Sequence, residues 1–413
     1  MDPNDLAVER ICAAEPVLID IQSAGEALPG MQPNMILTSG PTVPFDVYSG
    51  GQRDAIVYGA MYEGLADDQN EAVDKLESGA IVVEGCHDHG CVASVAGIYT
   101  ASMPVFVVEN LTAGNRGFCN FYEGESRHRL NYGAYDAGVR DQLRFLEHVV
   151  APTLRRAVRA NDGVALRPLI RRALHMGDEL HSRNTAATLL FGRELFPHLL
   201  ADAVNSQEEA RRTLEYLAAS DYFFLRLSMA AGKAAADAGH GVDGSTVVTA
   251  MTIWCQGTGI RVSGLGDAWH LGPFPSAEAR FFEGHTADDL EWIGGESPIT
   301  ETVGLGGFAQ AAAFPLQNYQ GGSAEAMMSL NLAMYDITVA EHPHYRIPVF
   351  DYRGTPVGID VRKVLQTGVT PVLDAGLAGK GGGQIGAGVV RMPIECFQAA
   401  AAEIEVDAHA FPR

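Results

Sequence analysis

A chain of 413 residues is longer than one hydrophobic core sustains, since cores stop growing near ~250–300 residues, so two or three domains are expected. Its 47% hydrophobic content marks it as globular, and 29 Lys and Arg against 51 Asp and Glu leave a net charge of −22. That charge repels phosphate backbones and anionic lipid surfaces, which argues against nucleic acid and membrane as partners.

The opening MDPNDLAVERICAAEPVLID has no basic region followed by an apolar one, and no run of ~18 apolar residues occurs, so a cytoplasmic protein is expected. Six scattered cysteines fit reduced thiols, not a disulfide framework. Residues 1–136 read as an α/β domain. Strands are expected at PVLIDI, DAIVYGAMY, AIVVEG and MPVFVVEN, and a helix at ADDQNEAVDKLESG. The strands are nearly continuous apolar runs, as in a parallel sheet covered on both faces.

Within this region Cys86-His87-Asp88-His89-Gly90-Cys91 follows a strand and its breaking Gly85. The carboxyl end of such a strand is where open α/β sheets bind ligands. The two cysteines and two histidines are too close together to reach one tetrahedral ion, so no metal is expected. His87 or His89 can act as acid or base with Asp88 fixing the tautomer, which makes the three candidate catalytic residues. The alternative is a turn in which Asp88 caps a helix starting near Cys91.

Residues 137–240 change to apolar spacings of three and four and are expected to form an all-helical domain of four to six helices. HMGDELHSRNTAAT places Asp178, His181, Arg183 and Asn184 in one apparently helical stretch, where His175, Asp178 and His181 can share a face. These residues suit a polar pocket with His181 catalytic and Asp178, Arg183 and Asn184 binding substrate. A buried network at a domain contact is the competing reading.

Residues 241–413 are rich in glycine and short apolar runs, an α+β pattern. In GIRVSGLGDAWH, Arg261 leaves a strand before Gly264 and Gly266, whose backbone N–H groups could face an anion while Arg261 grips it with two parallel bonds. An exposed hairpin arginine is the bland alternative. Thr300, Glu301 and Thr302 precede a helix expected over GFAQAAAF, whose N-terminus would attract an anion, so Glu301 joins the candidates. Lys380 is followed by Gly381 and not by Ser or Thr, so no P-loop is present, and no cofactor is expected.

The strings CHDHG, SMPVFVVEN, MGDELHSRN, SMAAGKAAADAGHGVDGS, DYRGTPVGIDVRKV and GQIGAGVVRMPIECF resemble the YlbE/YahG-like family, which includes the AllG subunit of oxamate carbamoyltransferase. The resemblance runs from about Ile56 to about Ala400. It implies transfer of a carbamoyl group between oxalurate and phosphate, within purine-nitrogen use, alongside an FdrA-like partner subunit in a homo- or hetero-oligomer. It supplies no catalytic residues. Departures at Cys91, in TIWCQGTG and in EWIGGESPITET leave open a hydrolase of a related ureido or cyclic amide compound, and a non-catalytic metabolite-binding subunit is the competing class.

Overall fold

Strands Cys91–Val92, Arg116–Asn120, Pro104–Asn110, Pro16–Ser23 and Val164–Ala165 form, in that order, a five-stranded sheet in the computed structural model, which describes residues 1–410. Only the first neighbour pair is parallel. This corrects the parallel-sheet expectation, and the reason is physical. A continuous apolar run requires that both faces be covered, whatever the strand direction. Phe106 and Val108 face the cluster shared with the helices, while Val105 and Val107 face a second cluster with Cys86, Cys91 and Tyr99.

A separate parallel pair, Met35–Thr38 beside Val82–Gly85, ends with Thr38 opposite Gly85 and delivers CHDHG at a strand end, as expected. DAIVYGAMY, expected as a strand, lies instead in the helix Gly50–Glu63. Its buried positions Gly51, Gln52, Ala55, Ile56, Gly59 and Ala60 recur at helical spacing. The expected helix over ADDQNEAVDKLESG is present as Gln69–Glu77, capped by the Asp68 carboxylate, which accepts from Glu71 N–H.

Helices Ala137–Phe145, Ala151–Ala160, Leu166–Leu174, Thr185–Ala219 and Leu225–Ala238 fill the central region, which also gives the sheet its edge strand Val164–Ala165. Helix Leu225–Ala238 lies against the sheet because Gly117 has no side chain. A Cβ there would meet the Ala230 carbonyl oxygen at 2.3 Å. One hydrophobic cluster joins these helices to Ala7, Leu18, Ile299 and Val357.

Beyond residue 240, Val248–Trp254 is flanked by Gly257–Val262 and Gly294–Gly295, and Gly383–Arg391 by Ser276–Phe281 and Val372–Gly379. The result is a mixed α/β fold of several sheets and helices, compatible with a multidomain α/β protein. Among the described residues no helix is long and apolar enough to cross a membrane.

Candidate functional site

The segment Gly294–Thr302 runs between two buried polar centres, sending Glu296 to one and Glu301 to the other. The second centre borders a cavity of about 90 Å³, lined among others by Arg129, Asn131, His181, Ser182, Leu225 and Arg226. At ~15 Å³ per water position this holds roughly six waters, which matches a ligand of a few heavy atoms.

His181 stands on a loop, not on a helix. Glu179 shapes that loop: its carboxylate accepts from the N–H groups of His181 at 3.2 Å, of Arg183 at 2.9 Å and of Ser182, while Leu180 takes a left-handed φ of 73°. Asp178 accepts from Ala187 N–H at 2.8 Å and so sets the start of helix Thr185–Ala219. The expected shared helical face of His175, Asp178 and His181 is therefore corrected. Carboxylates that bind nearby N–H groups end a helix more readily than they continue one.

The His181 Nδ1 lies 2.7 Å from Glu301 Oε1. Glu301 is itself fixed by Gly307 N–H at 3.0 Å, Asp374 N–H at 3.3 Å and the Thr300 hydroxyl at 2.8 Å. An acceptor this well anchored puts the ring proton on Nδ1, and Nε2 has no hydrogen-bond partner among the described residues of the cavity wall. Burial opposes a charged ring, yet the Glu301 carboxylate, supported by Glu179, outweighs it and raises the His181 pKa above its ordinary 6.5. Nearby, burial and the Glu301 charge push Asp374 up to about 8.

The helix expected over GFAQAAAF is absent. Ile299–Thr302 forms one short turn, followed by the turn Gly306–Phe308, because Glu301 is drawn inward to His181 and does not cap a following helix. Asn184 donates to the His181 carbonyl at 2.7 Å and braces the loop from behind. Arg183 pairs with Asp178, which burial pushes up to about 6, and it does not line the cavity.

The first centre brings together two motifs that the sequence keeps far apart. Arg261 Nη2 reaches Asp88 Oδ1 at 2.5 Å, and its guanidinium lies 4.5 Å from the Trp269 ring centre. His87 packs edge-on against Trp269, 4.0 Å from Glu296, with no hydrogen-bond partner on either ring nitrogen among the described residues. Burial first, then the charges of Lys233 and Arg261, hold the His87 pKa well below 6.5, so the ring is neutral. Burial pushes Glu296 up to about 8, against Gly40 N–H at 3.0 Å and Ala93 N–H at 3.1 Å.

Several expectations about this centre are corrected by its geometry. Arg261 is buried, not an exposed hairpin residue, and Asp88 already occupies it. Gly264 N–H donates to the Ser245 carbonyl at 3.0 Å and offers nothing to an anion, while Gly266 is exposed at a φ of 65°. Asp88 caps no helix. Cys91–Val92 is a strand, and Asp88 instead accepts from the Thr42 hydroxyl at 2.8 Å. His89 bridges the Pro29 carbonyl and Glu84, away from the cavity lining. The Cys86 thiol is buried and its pKa pushed up, which removes it as a nucleophile.

Arg129, Arg226 and Glu296 escaped the sequence reading. A signal for one of them existed. Arg226 stands with Lys233 in LRLSMAAGKAAADA, a helix whose positions 225–236 are all buried, and a charge in such a helix needs a reason. Arg129 lies in the polar run ESRHRLNYG, which gives no such contrast.

A small cavity with a histidine–carboxylate pair on its wall, set in a mixed α/β frame, is the candidate small-ligand site of this fold. Residues 81–297 match the family described as oxamate carbamoyltransferase subunit AllG, and this chain belongs to that family. It is 39% identical to the uncharacterized protein YahG of Escherichia coli (strain K12), over 96% of this chain and 84% of that one. It is 36% identical to the oxamate carbamoyltransferase subunit AllG of the same organism, over 96% of both chains. A crystal structure of a conserved protein of unknown function from Enterococcus faecalis V583 superposes with a TM-score of 0.94 at 38% identity, covering 98% of this chain and 97% of that one.

Proposed function

We propose that this chain is a subunit of an oxamate carbamoyltransferase-type enzyme, which moves a carbamoyl group between a ureido carboxylate such as oxalurate and phosphate. A phosphate oxygen attacks the terminal ureido carbonyl carbon, the bond from that carbon to the oxamate nitrogen breaks, and that nitrogen takes a proton. The products are carbamoyl phosphate and oxamate. The observation that carries the reading is the His181–Glu301 pair on the cavity wall. A histidine whose pKa is raised is equipped to hold the proton the leaving nitrogen needs, a contribution of ~10²–10⁴-fold when well placed. His87, Asp88 and Arg261 are assigned here to holding the other side of the segment Gly294–Thr302 in place.

The relative named as a subunit favours a second reading, in which the chain binds the metabolite while an FdrA-like partner completes the site. The test is carbamoyl phosphate formation from oxalurate and phosphate, by the purified chain alone and then with the FdrA-like partner. Turnover by the chain alone that His181→Gln abolishes supports the catalytic reading. Turnover only with the partner supports the second. Release of oxamate without carbamoyl phosphate, with or without the partner, means water is the acceptor and overturns the transferase assignment.

A further inference from the structure

Four cationic side chains, Arg129, Arg226, Lys233 and Arg261, are buried among the described residues. Lys233 pairs with Asp237 at 2.8 Å and Arg261 with Asp88. Among the described residues Arg129 and Arg226 have no carboxylate within 4.0 Å, and these two line the same cavity. A buried charge without a counter-charge is costly in a folded protein, more so where the chain carries −22 overall and carboxylates are plentiful.

Their existing bonds go to neutral acceptors. Arg129 donates to the Tyr122 hydroxyl at 3.2 Å and the Gly124 carbonyl at 3.3 Å, with its guanidinium 4.5 Å from the Tyr132 ring centre. Arg226 donates to Asn120 Oδ1 at 2.7 Å. The Nε of each has no partner. The nearby carboxylates are committed elsewhere: buried Glu123 to the N–H groups of Leu130 at 2.6 Å and Asn131 at 3.0 Å, and exposed Glu125 to the Tyr122 hydroxyl at 3.0 Å, so both act on Arg129 only from a distance. Glu291, also on the wall, accepts from Gly51 N–H at 3.0 Å.

We infer that Arg129 and Arg226 form the binding site for the carboxylate of a small organic anion held in this cavity. The class is a carboxylate of a few heavy atoms, because about 90 Å³ leaves no room for a nucleotide. Guanidinium groups suit it, since their planar donors match a carboxylate in pairs. This assignment rests on the carbamoyl-transfer reading only for the choice of probe. It deepens that reading by naming which residues hold the anionic end.

The test is calorimetric binding and thermal stability of the full chain with oxamate, and with oxamide as the neutral analogue. Oxamate is expected to bind and to raise the melting temperature, and oxamide to do neither. Arg129→Met and Arg226→Met are each expected to weaken oxamate binding by at least about tenfold. They should leave the melting temperature of the ligand-free protein unchanged or higher, since an unpaired buried charge has been removed. A merely structural arginine would do the reverse, lowering that temperature while sparing affinity. Should a methionine variant not fold, Arg226→Lys keeps the charge but not the fork and is expected to weaken binding by about tenfold. No oxamate binding by the wild type, equal binding of oxamide, or arginine variants that bind as the wild type does would each overturn the assignment. Arginine-dependent oxamate binding with no carbamoyl phosphate formed either by the chain alone or with the FdrA-like partner would leave this site standing and remove the transferase reading.

Discussion

Asp88 and Arg261, 173 positions apart in the chain, close a 2.5 Å ion pair that ties the CHDHG turn to the strand Gly257–Val262. Its two ends differ. The Arg261 side chain is 7% exposed and that of Asp88 35%, so water can take over Asp88 but not Arg261. Asp88→Ala is expected to destabilise by about 1–3 kcal/mol, because it strands a buried guanidinium. In a double-mutant cycle with Arg261→Met the coupling should exceed about 0.5 kcal/mol. Urea unfolding of the four proteins measures it, and additive effects would show that the pair does not hold the turn.

His181 supplies a pH signature. Its folded pKa lies above the ordinary 6.5, so the stability it adds is fully present below pH 6.5 and is lost as pH rises through the raised folded value. The stability difference between wild type and His181→Gln is therefore expected to be largest in acid and to shrink with rising pH. Denaturant titrations across the pH range check this, and a difference that grows with pH would contradict the His181–Glu301 pairing.

Parts of this arrangement were legible in the sequence. Gly85 and the polar run after it marked the strand end, and the odd mixture of Asp, His, Arg and Asn after His175 marked a buried polar cluster, of which His181 lines the cavity while Asp178, Arg183 and Asn184 brace its loop. Local pattern failed where partners are remote. Glu301 looked like a cap for the next helix because nothing within its own segment reveals His181, 120 positions away. DAIVYGAMY looked like a strand because its Ile, Val and Tyr outweigh a helical spacing that shows only once Gly51 and Gln52 are counted with it. Arg261 looked like an anion ligand because nothing in its own segment reveals Asp88, 173 positions away.

Gly306 offers a way to disturb Glu301 from the backbone. Its φ is 57°, and a Cβ there would lie 2.1 Å from Glu301 Oε1 and 3.0 Å from the His181 Cβ. Glu301 cannot swing aside without losing its bonds to Gly307, Asp374 and His181. Gly306→Ala is expected to cost about 1–3 kcal/mol and to impair turnover together with stability. Gly381→Ala, where a Cβ meets nothing within 4 Å, is the control and should be close to neutral in thermal unfolding. Equal behaviour of the two variants would mean that the loop yields without disturbing the pair.

Glu296 makes the strongest test of the segment between the two centres. Both of its oxygens accept backbone N–H groups, from Gly40 and from Ala93, so it ties the strand Gly294–Gly295 to two distant loops. In Glu296→Gln the amide nitrogen must face one of those N–H groups, so one bond is lost and a buried donor is left unsatisfied, at a cost of about 1–3 kcal/mol. The size of the deficit should depend on pH. Burial pushes the Glu296 carboxyl up to about 8, against an ordinary value of 4.5. A raised folded pKa means that its contribution is complete below pH 4.5 and is lost as pH rises through about 8, where the wild type must bury a carboxylate. Glutamine does not titrate, so the gap between variant and wild type is expected to narrow as pH rises from 4.5 to about 8 and to level off above it. Paired unfolding curves at acidic and alkaline pH decide the matter. A gap that stays constant or widens would mean that the two N–H groups, with Lys233 and Arg261 behind them, keep Glu296 ionised throughout, and that His87 faces a carboxylate rather than a neutral acid.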